Sequence, residues 1–218
     1  MNINLNKSQF SSNEFEKISD KKNVLVLVAD GSEEMEVVIF VDLLRRAGIN
    51  VDIVSIKDND NLIQCSRNVK LLADKNINDL QDYSIYDLVY IPGGSLGVEF
   101  LKNNSKVKEI VNYFYKTKKY VSAICAGPLV LKESIDIKNV KLTSYPTLKD
   151  QYDNYLDDLV VVDNKVITSQ GPATTFLLAF KVIEILRGEN IKNIVYNAVL
   201  FNKLIDKLVI KKEDSYIL

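Results

Sequence analysis

At 218 residues, the chain is long enough for one α/β domain with short appendages and short for two. With 28 basic and 29 acidic residues and a formal charge of −1, it shows no dense basic stripe, so neither nucleic acid nor an anionic membrane is an expected partner. Histidine is absent, which rules out a cysteine-histidine or serine-histidine dyad and any zinc site with an imidazole ligand; no metal is expected.

Residues 1–21 are polar, with isolated Ile3, Leu5, Phe10 and Phe15, and are expected to form a poorly ordered extension without the apolar core of a secretory leader. Asn23 to Ala29 is a continuous apolar run, the pattern of a parallel strand covered on both faces. Asp30-Gly31-Ser32 offers a helix cap, with Glu33 and Glu34 in the first turn. Met35, Val38, Ile39, Leu43 and Ala47 then repeat at helical spacing up to Gly48. Val51 to Ile56 is the next strand, so the chain opens as a βαβ unit. Glu36 lies one turn past the first strand, among apolar side chains. It is either a carboxyl pointing back over the sheet edge or a solvated surface glutamate.

Leu62 to Arg67 and Val69 to Ala73 read as short strands joined by a turn, and Asp79 to Tyr83 as a helical turn. Asp87 to Ile91 is a buried strand running into Pro92-Gly93-Gly94, which is either a simple turn or a place where an exposed N–H meets an oxyanion. Ser105 caps a helix through Lys118. Val140 to Ser144 is strand-like, Leu159 to Ser169 is a hairpin across Asp163-Asn164, and Gln170-Gly171-Pro172 opens a helix running to Arg187. Ile191 to Phe201 continues the core, and residues 202–218 read as an exposed tail. No P-loop or G-x-G-x-x-G fingerprint is present, and no apolar run approaches the roughly 18 residues that span a bilayer.

The chemistry centres on Tyr120 to Leu129. A short β-branched run ends at Cys125, and Ala126-Gly127-Pro128 leads into a helix, so the cysteine sits on a sharp strand-to-helix turn at the carboxyl edge of the sheet. The N–H groups of that turn favour thiolate, the nucleophilic form. The alternative is a small hydrophobe of the core. Ligands of an open parallel sheet bind beyond the carboxyl ends of its strands, and Glu36, Gly93-Gly94, Cys125 and Gly171-Pro172 each follow an apolar strand at short range. Two cysteines, Cys65 and Cys125, are too few for a disulfide scaffold and suit a reducing cytosol; a cytoplasmic location is expected.

Ala29 to Glu36, Val41 to Gly48, Gln64 to Arg67, Pro92-Gly93-Gly94, Ala123 to Pro128 and Thr168 to Pro172 stand in the order seen in the ThiJ/PfpI superfamily, in the branch of the Parkinsonism-associated deglycase. The chain resembles that family over residues 22–201. The resemblance implies a flavodoxin-like three-layer sandwich with a mostly parallel central sheet, of the class I glutamine amidotransferase-like kind, usually a homodimer. It implies that Cys125 is the reactive cysteine, that Glu36 is a protonated carboxyl beside it, and that Gly94 and Ala126 supply oxyanion-hole N–H groups. Tyr145, Arg67, Gln170, Gly171 and Pro172 are candidate pocket residues. The implied activity is a glyoxalase of the cofactor-independent type, converting methylglyoxal to lactate, or a deglycase, acting on a small dicarbonyl or aldehyde with no cofactor. The alternative is an oxidative-stress sensor or redox-regulated chaperone. Proteolytic relatives carry histidine directly after the cysteine, where this chain has Ala126, so the resemblance points away from protease chemistry. Two departures bear on turnover and on substrate charge: Ser144-Tyr145-Pro146 stands where the close branch has histidine in the turn, and Gln170 where relatives often carry arginine.

Overall fold

The computed structural model describes residues 21–214, with side-chain surroundings through residue 208. Residues 1–20, most of the polar extension read from the sequence, lie outside the described residues. The apolar run at the start forms β1 (Asn23–Val28), and its side chains alternate between two cores. Val24, Val26 and Val28 enter one cluster, and Leu25 and Leu27 the other. A strand buried on both faces needs apolar residues at every position, which is why no polar alternation marks it.

β1 is followed by α1 (Glu34–Arg46), β2 (Asn50–Ser55), the short antiparallel pair β3 (Leu62–Gln64) and β4 (Lys70–Leu72), β5 (Lys75–Asn76) and β6 (Leu88–Ile91). Next come α2 (Ser95–Asn103), α3 (Ser105–Lys116), β7 (Tyr120–Ile124), α4 (Pro128–Ser134), β8 (Val160–Asp163) and β9 (Val166–Ser169). The helices α5 (Thr175–Arg187), α6 (Glu189–Ala198) and α7 (Phe201–Asp214) complete the order. Seven strands form the central sheet in the order β5-β2-β1-β6-β7-β9-β8, all parallel except the β8–β9 hairpin. Phe40, Leu44, Leu178 and Val182 cover one face from α1 and α5, while Val98, Ile110, Phe114 and Leu131 cover the other from α2, α3 and α4. The result is the expected flavodoxin-like three-layer sandwich. The register pairs Ile91 with Ala123 and Ile124 with Ser169, so β6, β7 and β9 end nearly level and their following loops share one edge.

Several local expectations change. The buried face of α1 is Val37, Phe40, Val41, Leu43 and Leu44 together with Glu34 and Glu36; of the expected stripe Leu43 and Ala47 are buried, whereas Met35 and Val38 are about half exposed, at 50% and 48%. The hydrophobic stripe therefore starts two residues later than periodicity counted from Met35 suggests. Glu33 is the residue at the helix cap, because the Ser32 hydroxyl turns back to accept the Ala29 N–H at 3.0 Å. Val140 to Ser144 makes no strand: Leu142 forms one isolated bridge with Tyr155, and the Thr143 N–H donates to the Thr168 hydroxyl instead of to a neighbouring backbone. Phe201 ends the core as expected, its ring 5.1 Å from Phe180 and 5.2 Å from Tyr196; residues 203–208 beyond it are exposed as expected of a tail, but the segment is helical through Asp214.

Candidate active site

Three loops at the carboxyl edge build the site. The loop after β1 is clamped by the β3–β4 segment, through Gly31 N–H to Gln64 O at 2.8 Å and Ser66 N–H to Ser32 O at 2.9 Å. It is clamped again by Glu33 N–H to Gly93 O at 3.0 Å. The loop after β6 lies so close that a Cβ on Gly94, whose φ is +90°, would sit 2.1 Å from the Gly31 carbonyl oxygen. Only glycine combines that left-handed backbone with that approach.

The first turn of α1 then carries Glu36 inward. Its side chain is fully buried, Oε2 accepts the Gly93 N–H at 2.6 Å, and its own carbonyl accepts from the Tyr90 hydroxyl at 3.1 Å. Tyr90 is in turn stacked on Phe40, with ring centroids 3.8 Å apart. The solvated-glutamate alternative is thereby excluded. Burial pushes the Glu36 carboxyl up to about 7, and the nearby Glu33 charge adds to the rise, while the Gly93 N–H and the Cys125 side chain act to lower it.

β7 delivers Cys125 at its end. The residue adopts φ +60°, a left-handed conformation that costs a non-glycine residue roughly 1–2 kcal/mol. Two backbone bonds hold it there: Cys125 N–H to Ser169 O at 3.0 Å and Tyr145 N–H to Cys125 O at 2.9 Å. α4 begins three residues later at Pro128, so the cysteine occupies the expected strand-to-helix turn, partly buried rather than sealed in the core. Gly93 is the shared neighbour of both groups: a Cβ there would meet Cys125 Cβ at 2.6 Å, Glu36 Oε2 at 2.7 Å and Cys125 Sγ at 3.0 Å.

The electrostatics differ from the expected resting thiolate. Burial and the negative charge of Glu36 push the Cys125 thiol up to about 12, while the backbone N–H groups of Ala126 and Gly94 bond to the sulfur and pull the other way. The Glu36 charge exists only once its carboxyl has lost a proton, so the two groups titrate as a pair in which ionisation of one opposes ionisation of the other. Glu36 Oε1 is buried with no well-formed hydrogen bond of its own.

A cavity of about 510 Å³ opens over the pair and is lined by Glu33, Arg67, Gly94, Ala126, Tyr145 and Pro172 as well as Glu36 and Cys125. Of the residues expected there, Gln170 turns away: its amide donates to Asp157 at 2.8 Å and to the Tyr155 hydroxyl at 3.4 Å. Gly171 does not line the cavity but lies under the Tyr145 ring. Sequence reading misses Glu33 and Ser66. The Ser66 hydroxyl lies 2.5 Å from Glu33 Oε2 and 2.8 Å from Glu34 Oε2. Burial pushes Glu34 up, but its own N–H, the Ser66 hydroxyl and the Arg67 and Val69 N–H groups outweigh that and hold it below the ordinary range. The doublet Glu33-Glu34 is visible in the chain, but its link to Ser66 depends on packing 32 or 33 residues apart. Among the described residues, no three His, Cys, Asp or Glu side chains gather as a metal site.

A doubly wound, mostly parallel sheet with a cysteine on a strained strand-to-helix turn beside a buried glutamic acid defines an α/β protein of the flavodoxin-like class. A profile of the DJ-1/PfpI family matches residues 22–185, and the chain belongs to that family. It is 37% identical over 175 residues to the Parkinson disease protein 7 homolog of Danio rerio, covering 78% of this chain and 92% of that one. It is 35% identical over 185 residues to the glutathione-independent glyoxalase DJ-1 of Schizosaccharomyces pombe, covering 80% and 96%. The crystal structure of Drosophila melanogaster DJ-1beta superposes with a TM-score of 0.79 at 36% identity, over 83% of this chain and 98% of that one.

Proposed function

We propose that the protein is a cofactor-independent glyoxalase in which Cys125 is the nucleophile and Glu36 carries the protons. The observation that supports this most is the contact set at the sulfur, where a fully buried carboxyl and the Ala126 and Gly94 N–H groups meet one thiol. As sulfur adds to the aldehyde carbon of methylglyoxal, its proton passes to the Glu36 carboxylate and a carbon–sulfur bond forms. The former aldehyde oxygen carries the new negative charge, and the two N–H groups stabilise it. One such donor is worth about 3–4 kcal/mol where it has been tested. Glu36 returns the thiol's proton to the oxyanion, giving the hemithioacetal and regenerating its carboxylate; it then takes the proton from the sulfur-bearing carbon and delivers it to the neighbouring carbon through an enediolate, while the hydroxyl proton passes from one oxygen to the other, leaving a lactoyl thioester. Water cleaves that thioester, releasing lactate and restoring the thiol.

The relatives named as glutathione-independent glyoxalases, from Schizosaccharomyces pombe and Caenorhabditis elegans, support this substrate class. Tyr145, about half exposed, and Arg67 both line the cavity and bring a phenol and a guanidinium to it. Lactate formation from methylglyoxal by the purified protein and by Cys125→Ser is the test. A loss of at least about 100-fold in the variant is expected, and equal rates eliminate the mechanism. Pairing of two copies is proposed from the family resemblance, and sedimentation at micromolar concentration checks it: a monomer there removes it.

A second reading, a thiol-based oxidation sensor, rests on the same contact, because a protonated Glu36 can donate to a sulfinate oxygen. Gain of two oxygens at Cys125 under mild peroxide, together with negligible lactate formation, selects it.

A further inference from the structure

The cavity over Cys125, at about 510 Å³, falls within the range of about 300–1,000 Å³ found for pockets that enclose a whole drug-sized ligand, whereas methylglyoxal has only three carbons. Its walls are set by backbone bonds one turn beyond the groups that meet the sulfur. The Val98 N–H donates to the Gly94 carbonyl at 2.9 Å, and the Leu129 N–H to the Ala126 carbonyl at 3.0 Å. Each residue whose N–H bonds to the sulfur is therefore followed, within one turn, by an apolar side chain that lines the same cavity. Val98 belongs to the core and Leu129 packs against it, which fixes both walls.

A third wall repeats the pattern. Tyr145, whose N–H holds the Cys125 carbonyl, accepts the Leu148 N–H at 2.9 Å, and both Tyr145 and Leu148 line the cavity. The Tyr145 ring packs over Gly171, 3.6 Å from the position a Cβ would take there. The charged lining is engaged by neighbours: Glu99 pairs with Lys102 at 2.7 Å, Glu33 Oε2 lies 2.5 Å from the Ser66 hydroxyl, and the Arg67 guanidinium donates to the Ser66 carbonyl at 3.1 Å. Arg67 is the one cation among the lining residues and stands against Glu33 and Glu99, so no excess of positive charge awaits an anionic substituent.

We infer that the site takes carbonyl compounds whose second substituent is an aryl or branched alkyl group, seated against Val98, Leu129, Leu148 and the Tyr145 ring while the reacting carbonyl faces Cys125. Phenylglyoxal is the simplest aryl case. Its binding rests on the walls alone, and its turnover on the proposed glyoxalase reaction. In that reaction the aldehyde carbon is oxidised to the carboxyl level, the ketone carbon is reduced to an alcohol and one water is added, giving mandelate without an external oxidant.

Alkylation of Cys125 in the full chain tests binding apart from turnover. Phenacyl bromide, bromoacetone and bromopyruvate present the same bromomethyl ketone and differ in carrying phenyl, methyl or carboxylate; each forms a carbon–sulfur bond and releases bromide. The readout is the second-order rate constant for each, divided by that for free N-acetylcysteine, with the label assigned to Cys125 by peptide mass. Phenacyl bromide is expected to be favoured at least about tenfold over bromoacetone, and bromopyruvate to be the least favoured. Leu148→Ser and Leu129→Ser are each expected to reduce the phenyl advantage at least about threefold, and either one that folds suffices. A phenyl advantage below about twofold, one kept in full by the folded variants, or a preference for bromopyruvate overturns the inference whether or not lactate forms. A phenyl advantage with neither mandelate from phenylglyoxal nor lactate from methylglyoxal upholds the apolar site and removes the glyoxalase reaction instead.

Discussion

Replacing Glu36 by glutamine keeps the side-chain shape but removes a carboxyl whose proton is retained up to about 7 in the folded protein, against an ordinary value of 4.5. The folded value lies above the unfolded one, so between these two limits the unfolded chain releases a proton that the native state keeps. Stability from this group is complete below about pH 4.5 and falls as pH rises through 7. At 1.36 kcal/mol per pH unit, that span corresponds to a loss of about 3 kcal/mol in the wild type by pH 8. The substituted amide has nothing to ionise, and its carbonyl can still accept the Gly93 N–H. The Glu36→Gln variant should therefore lack this part of the decline and close on, or overtake, the wild type above pH 7. Urea unfolding followed by circular dichroism at steps from pH 5 to pH 8 measures the difference directly. Parallel stability curves for the two proteins across that range would refute the reasoning, because they would mean that the buried carboxyl titrates no differently once folded. Cys125 does not confuse the comparison in this window, since its shift runs from 9.0 to about 12.

Two further outcomes follow from packing. Gly93→Ala places a methyl 2.6 Å from Cys125 Cβ and 2.7 Å from Glu36 Oε2, so it should cost about 1–3 kcal/mol by urea unfolding and remove most aldehyde turnover without touching either functional group. Phe40→Ala empties a fully buried site and unstacks Tyr90, whose hydroxyl holds the Glu36 carbonyl; a loss of about 3–5 kcal/mol is expected in the same assay.

Much of this architecture is legible in the chain because its strongest signals are local. The apolar runs at β1, β6 and β7, each ending in small residues or glycine, announce a parallel sheet and the edge where its loops gather. Cys125 and Gly93-Gly94 are found by the same punctuation. What escapes is set by distance in sequence. Whether Glu36 faces water or the core depends on a two-residue phase of α1, which is decided by Tyr90 and Gly93 more than fifty positions away. Gln170 follows a well-read strand, yet its amide is captured by Asp157 and Tyr155 in a segment with little local pattern. Sequence reading misjudges the ionisation of Cys125 because turn dipoles are visible locally, while desolvation and a neighbouring charge are not. The α7 helix passes for a tail because its mixed charged and apolar residues carry no strong stop or start.

The grip on Cys125 comes from main-chain atoms: an amide of residue 145 on one side and a carbonyl of residue 169 on the other. Any amino acid except proline brings that amide. Position 145 is thereby released from structural duty, and its side chain is free to change while the sulfur stays where it is. Such a scaffold separates keeping a nucleophile in place from choosing what it meets, so new reactivity can be tried at the mouth without rebuilding the floor.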